Sequence, residues 1–523
     1  MRVTGGRVPT MRNQAWISLA ILSLALWVAW ILGGWIVAGD TKSVIYAALG
    51  IAVCAIAMTV VRDWRTGFYA FLVWLLFEDL FRKYMGNNMA IYFGKDLLVG
   101  ITYLSFLASV RAGRAQLFRP PFRLFLILFF WWGMLECFNP HSPSLFYGLL
   151  GLKLYFYYIP LMFVGYALIR TDQDLRRFLT LNMSLAAVIS LLGIIQAIVG
   201  ASFLNPRVLA PDIEYLSSVY RYAPITGVEI YRPTSVFVSD GRFSWYLILA
   251  WLIGLGAVGY LVLRRQRGRH LIFVGTALVA VAVMLCGSRG TFIFVGASSL
   301  IVAAAFLWGA PWRWGRGRRL VTAIRRGFIA AVVGLVIAVV LFPDAIGARW
   351  AFYSETLDPR SSESELVSRT SDYPIAEMQK AFSQANWVYG NGIGTASLGM
   401  QYVSRILGQP STDLGGVESG YGNLFLEFGS VGLLLWILWT AAVVIAAWKV
   451  VLRLRQTSVF PVAFAIFWFI FLLLFPMTFG GTATYENYIY NAYLWLGLGI
   501  LFRLPALERS QDVISDLSGR PAD

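Results

Sequence analysis

Apolar runs alternate with short charged or Gly/Pro-containing breaks along nearly the whole chain. About fourteen runs approach the roughly 17–25 residues that a helix needs to cross a bilayer. They centre on 16–37, 44–61, 67–81, 91–110, 122–138, 148–169, 178–200, 243–263, 271–287, 290–309, 327–343, 423–447, 458–475 and 486–502. Those at 67–81 and 122–138 are short, so they read as tilted, re-entrant or misjudged at their ends. Within the runs apolar residues are continuous and do not alternate, which argues against a transmembrane β-barrel. The pattern predicts an all-α polytopic membrane protein with 12–14 transmembrane helices. The first run is long and no small-residue cleavage site follows it, so it reads as an anchor and not a removed signal peptide.

Charge tests that layout. With the N-terminus in the cytoplasm, the inward segments hold 28 of the 43 Lys and Arg but only 7 of the 27 Asp and Glu. This is the asymmetry of the positive-inside rule. An even number of spans then puts both termini in the cytoplasm. The organisation becomes N-terminal helices over 1–200, a large outward loop at 201–242, and central helices over 243–343. A second outward loop at 344–422, C-terminal helices over 423–502 and a cytoplasmic tail at 503–523 complete it. Both loops are too long to be mere connectors. In the second, Ile375, Met378 and Phe382 fall at helical spacing, which predicts a short amphipathic helix on the membrane or on the bundle.

Composition narrows the class. Hydrophobic residues make up 58% and charged residues 13%, far from the balance of a soluble enzyme. The net charge of +16 is explained by topology, so nucleic acid is not called for. Cys54, Cys137 and Cys286 sit in or at the end of apolar runs and read as small buried hydrophobes. The two histidines, His141 and His270, argue against a histidine-rich metal site. Gly390–Met400 is Gly-rich but lacks the Lys–Ser/Thr of a P-loop. Glu78, Asp79, Asp96 and Glu136 lie in or near spans, close to Arg82, Lys83 and Lys95, and read as ion-pair partners before they read as a proton or ion relay.

Three outward sites could carry chemistry. The first is Tyr231-Arg232-Pro233-Thr234 followed by Ser239-Asp240-Gly241-Arg242. The second is Cys286-Gly287-Ser288-Arg289-Gly290, a charge set in a tight turn between two spans. The third is Glu418-Ser419-Gly420-Tyr421-Gly422-Asn423, leading into Glu427-Phe428-Gly429-Ser430-Val431-Gly432. A guanidinium matches phosphate oxygens in a bidentate fork, so outward arginines near headgroups suit a lipid-linked pyrophosphate. For Arg232, Arg242 and Arg289 the competing reading is a snorkelling side chain that marks a helix end. Glu418 in a Gly-rich turn can reach a substrate hydroxyl as a general base, or it can simply be solvated. Glu427 reads as the buried partner of an arginine or as a charge at a helix N-terminus.

Taken in order, Arg232, Ser288-Arg289-Gly290, Ser368-Arg369, Tyr389-Gly390-Asn391-Gly392-Ile393-Gly394 and the stretch Glu418–Gly432 resemble the bacterial O-antigen ligase and O-antigen polymerase superfamily, over roughly residues 180–500. The resemblance implies a GT-C-like inner-membrane glycosyltransferase with two large periplasmic loops. Such an enzyme moves a glycan from undecaprenyl pyrophosphate to an acceptor hydroxyl without a metal or other cofactor. It implies Glu418, Arg289 and Arg232 as catalytic residues, and Arg242, Arg369, Tyr421 and Asn423 as substrate-binding residues. The bilayer, the lipid-linked glycan and the acceptor would be its partners, with a chain-length regulator and a flippase beside them. One departure bears on the choice within the superfamily. Ligases commonly carry His-Asn nine residues before Glu-x-Gly-x-x-Gly, and here Glu418-Ser419 stands there. The resemblance therefore favours a polymerase of O-antigen, capsular or exopolysaccharide repeat units. A ligase acting on lipid A-core or another acceptor is the alternative, and a lipid-linked glycan flippase or transporter is a second one from a different class.

Overall fold

The computed structural model describes residues 57–86, 89–206, 219–264, 269–311, 316–341, 343–358, 360, 364, 366, 368, 372–397, 400–408, 417–481 and 484–518. The expected span at 16–37, most of that at 44–61, Cys54 and Arg369 lie outside them.

The apolar runs become helices because nothing inside them stops one, and their ends are set by capping side chains and breaks. In chain order these are α1 (Trp64–Tyr84), α2 (Met89–Arg111), α3 (Arg123–Glu136), α4 (Leu145–Phe156), α5 (Leu161–Leu168) and α6 (Asp172–Val199). A small hairpin follows, β1 (Tyr220–Tyr222) and β2 (Glu229–Tyr231), antiparallel with Tyr220 opposite Tyr231. Then come α7 (Asp240–Arg264), α8 (Arg269–Leu285), α9 (Arg289–Gly309), α10 (Arg316–Leu341), α11 (Pro343–Leu357), α12 (Tyr373–Gln384), α13 (Met400–Leu407), α14 (Gly420–Arg453), α15 (Phe460–Leu472) and α16 (Tyr488–Ser518). Thr171 and Asp174 cap α6 reciprocally, side chain to backbone in both directions. Ser144, Ser288 and Ser419 cap α4, α9 and α14.

Among the described residues, seven helical stretches are long and apolar enough to cross a membrane. They are Ala90–Arg111, Leu145–Leu168, Asp172–Val199, Asp240–Arg264, Arg289–Gly309, Gly420–Arg453 and Phe460–Gly480. The chain is therefore an all-α, multi-pass membrane protein, with the hairpin as a local exception. α3 has only 14 residues and α8 has 17.

Three expectations change in detail. The loop at 344–422 carries α11 and α13 beside the one expected helix, α12. In α12 the helical spacing holds and Phe382 packs on Phe425 with ring centres 4.6 Å apart, but the three apolar residues are not equally covered. Ile375 stays 47% exposed, while Pro374 and Ala381 are buried, with Ala381 packed on Val417 and Leu426. The segment read as a tail from residue 503 continues α16 as helix to Ser518, because Leu504 and Leu507 still have core to bury in.

The described part of the chain belongs to two units. In the one formed by residues 1–71 and 97–105, a Cβ on Gly67 would stand 2.9 Å from Thr102 Oγ1, and the Ser105 hydroxyl donates to the Val61 carbonyl at 3.0 Å. The other, residues 72–96 and 106–523, has an aromatic core. There Trp436, Trp439 and Trp495 are fully buried, and Tyr155 packs against Phe428, Trp436 and Tyr485. Everything below concerns this second unit.

Candidate functional site

Three polar groups emerge. The first gathers around the turn between α8 and α9. Gly287 has φ +64°, and a Cβ there would lie 3.0 Å from Arg232 Cγ, so only a glycine lets the Arg232 stem lie across the turn. Arg232 pairs with Asp240 at 2.5 Å through one nitrogen, while its Nε is buried without a hydrogen-bond partner. Two residues beyond the glycine, Arg289 places its guanidinium 5.2 Å from the Phe352 ring centre on α11. The neighbouring Tyr353 stacks on Phe292 at 4.8 Å, and its buried hydroxyl donates to no described residue. Arg349, one turn earlier on α11, donates to the Leu285 carbonyl that ends α8. Burial pushes the Tyr353 phenol well above its ordinary value, with Cys286, Arg349 and Arg232 as its charged surroundings, so it remains a donor. The hairpin seats this group. Ile230, Ala223, Phe352 and Tyr353 share a buried cluster, and one Glu355 oxygen accepts from Ile225 N–H at 2.7 Å and Thr226 N–H at 3.2 Å. Hydrogen bonding from Thr226 and Ile225 holds the Glu355 carboxyl below its ordinary value.

The second group is an ion-pair network linking α1, α2, α4 and α7. Asp79 binds Arg82 at 3.0 Å and Arg242 at 2.8 Å and accepts from Val238 N–H. Lys95 grips both oxygens of Glu78 at 2.9 Å, and Lys153 pairs with Asp96 at 2.7 Å. Lys83 donates to Thr234 Oγ1 at 2.9 Å and to the Ser235 carbonyl at 2.8 Å. The pairing reading of these intramembrane acids holds for Glu78, Asp79 and Asp96. Glu136 differs, since it accepts from the Asn139 amide at 2.6 Å. Arg242 is thereby tied to an acid that sequence spacing did not single out for it.

The third group surrounds a break in α14. Gly429 takes φ +64° and ψ −166°, so the helix is two pieces that meet there. The carbonyls freed at the break are met from elsewhere. Leu426 accepts from Asn391 N–H at 2.7 Å, Glu427 from Gly392 N–H at 3.2 Å, and Phe428 from the Trp132 indole at 3.1 Å. In return Ser430 N–H donates to the Trp387 carbonyl at 2.8 Å. The Gly-rich motif is the matching half. A Cβ on Gly390 would lie 2.6 Å from the Glu427 carbonyl carbon, and one on Gly394 2.0 Å from the Tyr147 carbonyl oxygen. The two late motifs of the sequence are thus one interlock.

Glu427 is fully buried in that interlock. Its Oε1 accepts from Ala396 N–H at 3.0 Å and its Oε2 has no hydrogen-bond partner among the described residues, so of the two expected roles, arginine partner or helix N-terminal charge, the first gives way to a loop backbone. Glu418 is exposed, accepts from the Tyr373 hydroxyl at 2.7 Å, and donates its backbone N–H to the Glu377 carboxylate at 2.8 Å. The Tyr421 hydroxyl donates to the Leu474 carbonyl at 3.0 Å, in the irregular turn around Pro476. Asn423 is buried, and its side-chain oxygen has no partner.

Of the residues singled out from sequence, Arg232 and Arg289 come to one place, Arg242 enters the Asp79 network, and Glu418, Tyr421 and Asn423 sit at the start of α14. Sequence reasoning missed Arg349 and Tyr353. Their signal was present in Arg349-Trp350-Ala351-Phe352-Tyr353, where an arginine and a tyrosine stand four apart on one helical face. No protein-family model and no curated protein matches this chain.

Proposed function

We propose that the chain is a membrane glycosyltransferase that polymerises oligosaccharide repeat units carried on undecaprenyl pyrophosphate. In this reading it has fourteen spans and both termini in the cytoplasm, and the α8–α9 turn faces the periplasm. One observation carries the proposal. At that turn two buried donors, Arg232 Nε and the Tyr353 hydroxyl, find no acceptor among the described residues, and Arg289 and Arg349 stand beside them. Buried donors call for acceptors, and a diphosphate supplies many in a form guanidinium groups recognise.

The chemistry follows from that match. The acceptor hydroxyl attacks the anomeric carbon of the lipid-linked sugar. The bond from that carbon to the pyrophosphate oxygen breaks, and its electrons stay on the diphosphate. Arg232 and Arg289 stabilise the charge that develops there. Glu418, oriented by Tyr373, takes the proton of the attacking hydroxyl.

A second reading, transport of the lipid-linked glycan, draws on the buried Glu78–Lys95 and Asp79–Arg242 pairs and on the broken α14. Intramembrane charge and discontinuous helices are features of transporters. The lipid-linked and surface glycans of a deletion strain, complemented with wild type or Arg289→Ala, separate the readings. A polymerase predicts single repeat units in the deletion and no rescue of long chains by Arg289→Ala at wild-type protein level. Long chains accumulating on the carrier would indicate a ligase. Complete repeat units confined to the inner leaflet would indicate transport.

A further inference from the structure

The segment that closes the α14 break has two unlike sides. Its backbone faces inward: Trp387 C=O, Asn391 N–H and Gly392 N–H all bond to α14, and Gly390 C=O accepts from Asn139 at 3.2 Å. Even the Trp387 indole N–H is satisfied within the chain, by the Phe382 carbonyl at 3.1 Å. Its side chains face outward. Trp387, Val388 and Tyr389 are 58%, 47% and 56% exposed, three successive large apolar residues in a loop that sequence alone assigns to water.

These side chains continue a surface that faces lipid. α3 exposes Leu124, Ile127, Leu128, Trp131 and Leu135 at helical spacing, all between 44% and 65%, and Phe138 follows at 71%. In a multi-pass membrane protein, a one-sided apolar stripe on a helix is the stripe against acyl chains. The Tyr389 ring stacks on Trp132 of this helix, 6.3 Å between centres with planes 17° apart. α3 is itself short, about 21 Å at 1.5 Å per residue, against the ~30 Å of a hydrocarbon core. Irregular backbone is tolerated at membrane depth only where its polar groups are satisfied by protein, and that is how residues 387–392 are arranged. Trp and Tyr are also the residues that settle at the boundary of hydrocarbon and headgroups.

We propose that Trp387-Val388-Tyr389 docks into the bilayer beside α3, with phospholipid acyl chains near the headgroups as its occupant, and that it shields the α14 break from water. The inference is independent of the glycosyltransferase reading. The unmodified protein, reconstituted in phosphatidylethanolamine/phosphatidylglycerol vesicles with a trace of phospholipid carrying a diazirine on its acyl chain, is photolysed and mapped by mass spectrometry. Label on the peptide holding residues 387–389, at a level comparable with the α3 peptide, is expected. A spin label at Val388→Cys, with the three native cysteines replaced by alanine, gives the second reading. Its collision rate with oxygen should exceed that with a water-soluble nickel chelate several-fold, as at Leu135→Cys, and the order should reverse at Lys380→Cys. No lipid label at 387–389 together with nickel accessibility equal to that at Lys380→Cys overturns the proposal. So does low collision with both reagents accompanied by spin–spin broadening at Val388→Cys, which would mark a second copy of the chain as the occupant.

Discussion

The α8–α9 turn and the α14 break are both built on a glycine at φ +64°, and both hold charged groups out of solvent, yet they do opposite things with their hydrogen bonds. At the break nearly every freed backbone group is met by the chain itself: Asn391, Gly392 and Trp132 supply donors and Trp387 an acceptor. At the turn the chain brings arginines together around Arg232 Nε and the Tyr353 hydroxyl, which no group among the described residues accepts from. The first is an arrangement for holding a shape, and the second leaves donors open, which is what the proposed binding role rests on. Two motif sets with equal standing in the sequence therefore part company, with open donors beside Arg232 and Arg289 and structural closure at Tyr389–Gly394 and Glu427–Gly432.

The contrast can be broken by substitution, and the largest effect lies in the network that Arg242 joined. Asp79→Ala strands the buried Arg82 and the partly buried Arg242, which should cost about 3–5 kcal/mol and show as loss of monodisperse protein in detergent. A variant that unfolds like wild type would release Arg242 from its structural role. Gly429→Ala comes next. It forces a side chain into a left-handed conformation and sets its Cβ 2.4 Å from the Val388 carbonyl oxygen. Strain of roughly 1–2 kcal/mol and crowding of a further 1–3 kcal/mol should together lower the midpoint of thermal unfolding clearly.

Arg289→Ala should do the reverse. Thermal unfolding should shift little, while polymer formation in membranes falls by roughly 10²–10³-fold, the scale for losing one group that stabilises a developing anion. If Gly429→Ala left stability intact and Arg289→Ala removed it, the two regions would have to exchange roles.

The smallest effect concerns the hairpin seat of the arginine group. Glu355 is held below its ordinary value of about 4.5 by Thr226 and Ile225. Its bonds are thus fully in place above that value and are lost as pH falls through the lowered one. Amide exchange at Ile225 and Thr226, corrected for intrinsic rates, should lose protection on acidification in wild type and show no such step in Glu355→Gln. An identical profile in both chains would remove the carboxylate from the account.

The fold was legible to the extent that it depends on one helix at a time. Continuous apolar runs announced α6, α7, α9 and α14, and Ser144, Ser288 and Ser419 stood where caps were needed. The seat of α12 was legible only in part, because amphipathic spacing cannot tell core from bilayer: Phe382 packs on Phe425, Ile375 is apolar and exposed, and Ala381 is small and buried. Arg232 and Arg289 were named from chemistry, since guanidinium groups next to glycines and span ends are conspicuous. Arg349 and Tyr353 were not, because their importance comes from the α11 face laid on Gly287. Glu427 reads from sequence as an arginine's partner or a helix N-terminal charge and instead receives the Ala396 N–H, since nothing local indicates that a loop more than 30 residues earlier returns to that helix.

By itself the sequence determined that this is a membrane protein of apolar helices, for hydrophobicity and helix propensity act over single runs and can be read residue by residue. Tertiary structure alone decided which polar groups are used up inside the chain. That Asp79 binds Arg242, that Gly390 fits the α14 break and Gly394 the α4 backbone, and that Arg232 Nε and the Tyr353 hydroxyl lack acceptors among the described residues are facts about groups far apart in sequence. The physical reason is that a buried donor or acceptor is satisfied by whichever group the packing brings near, and packing follows from the whole chain rather than from any one segment of it.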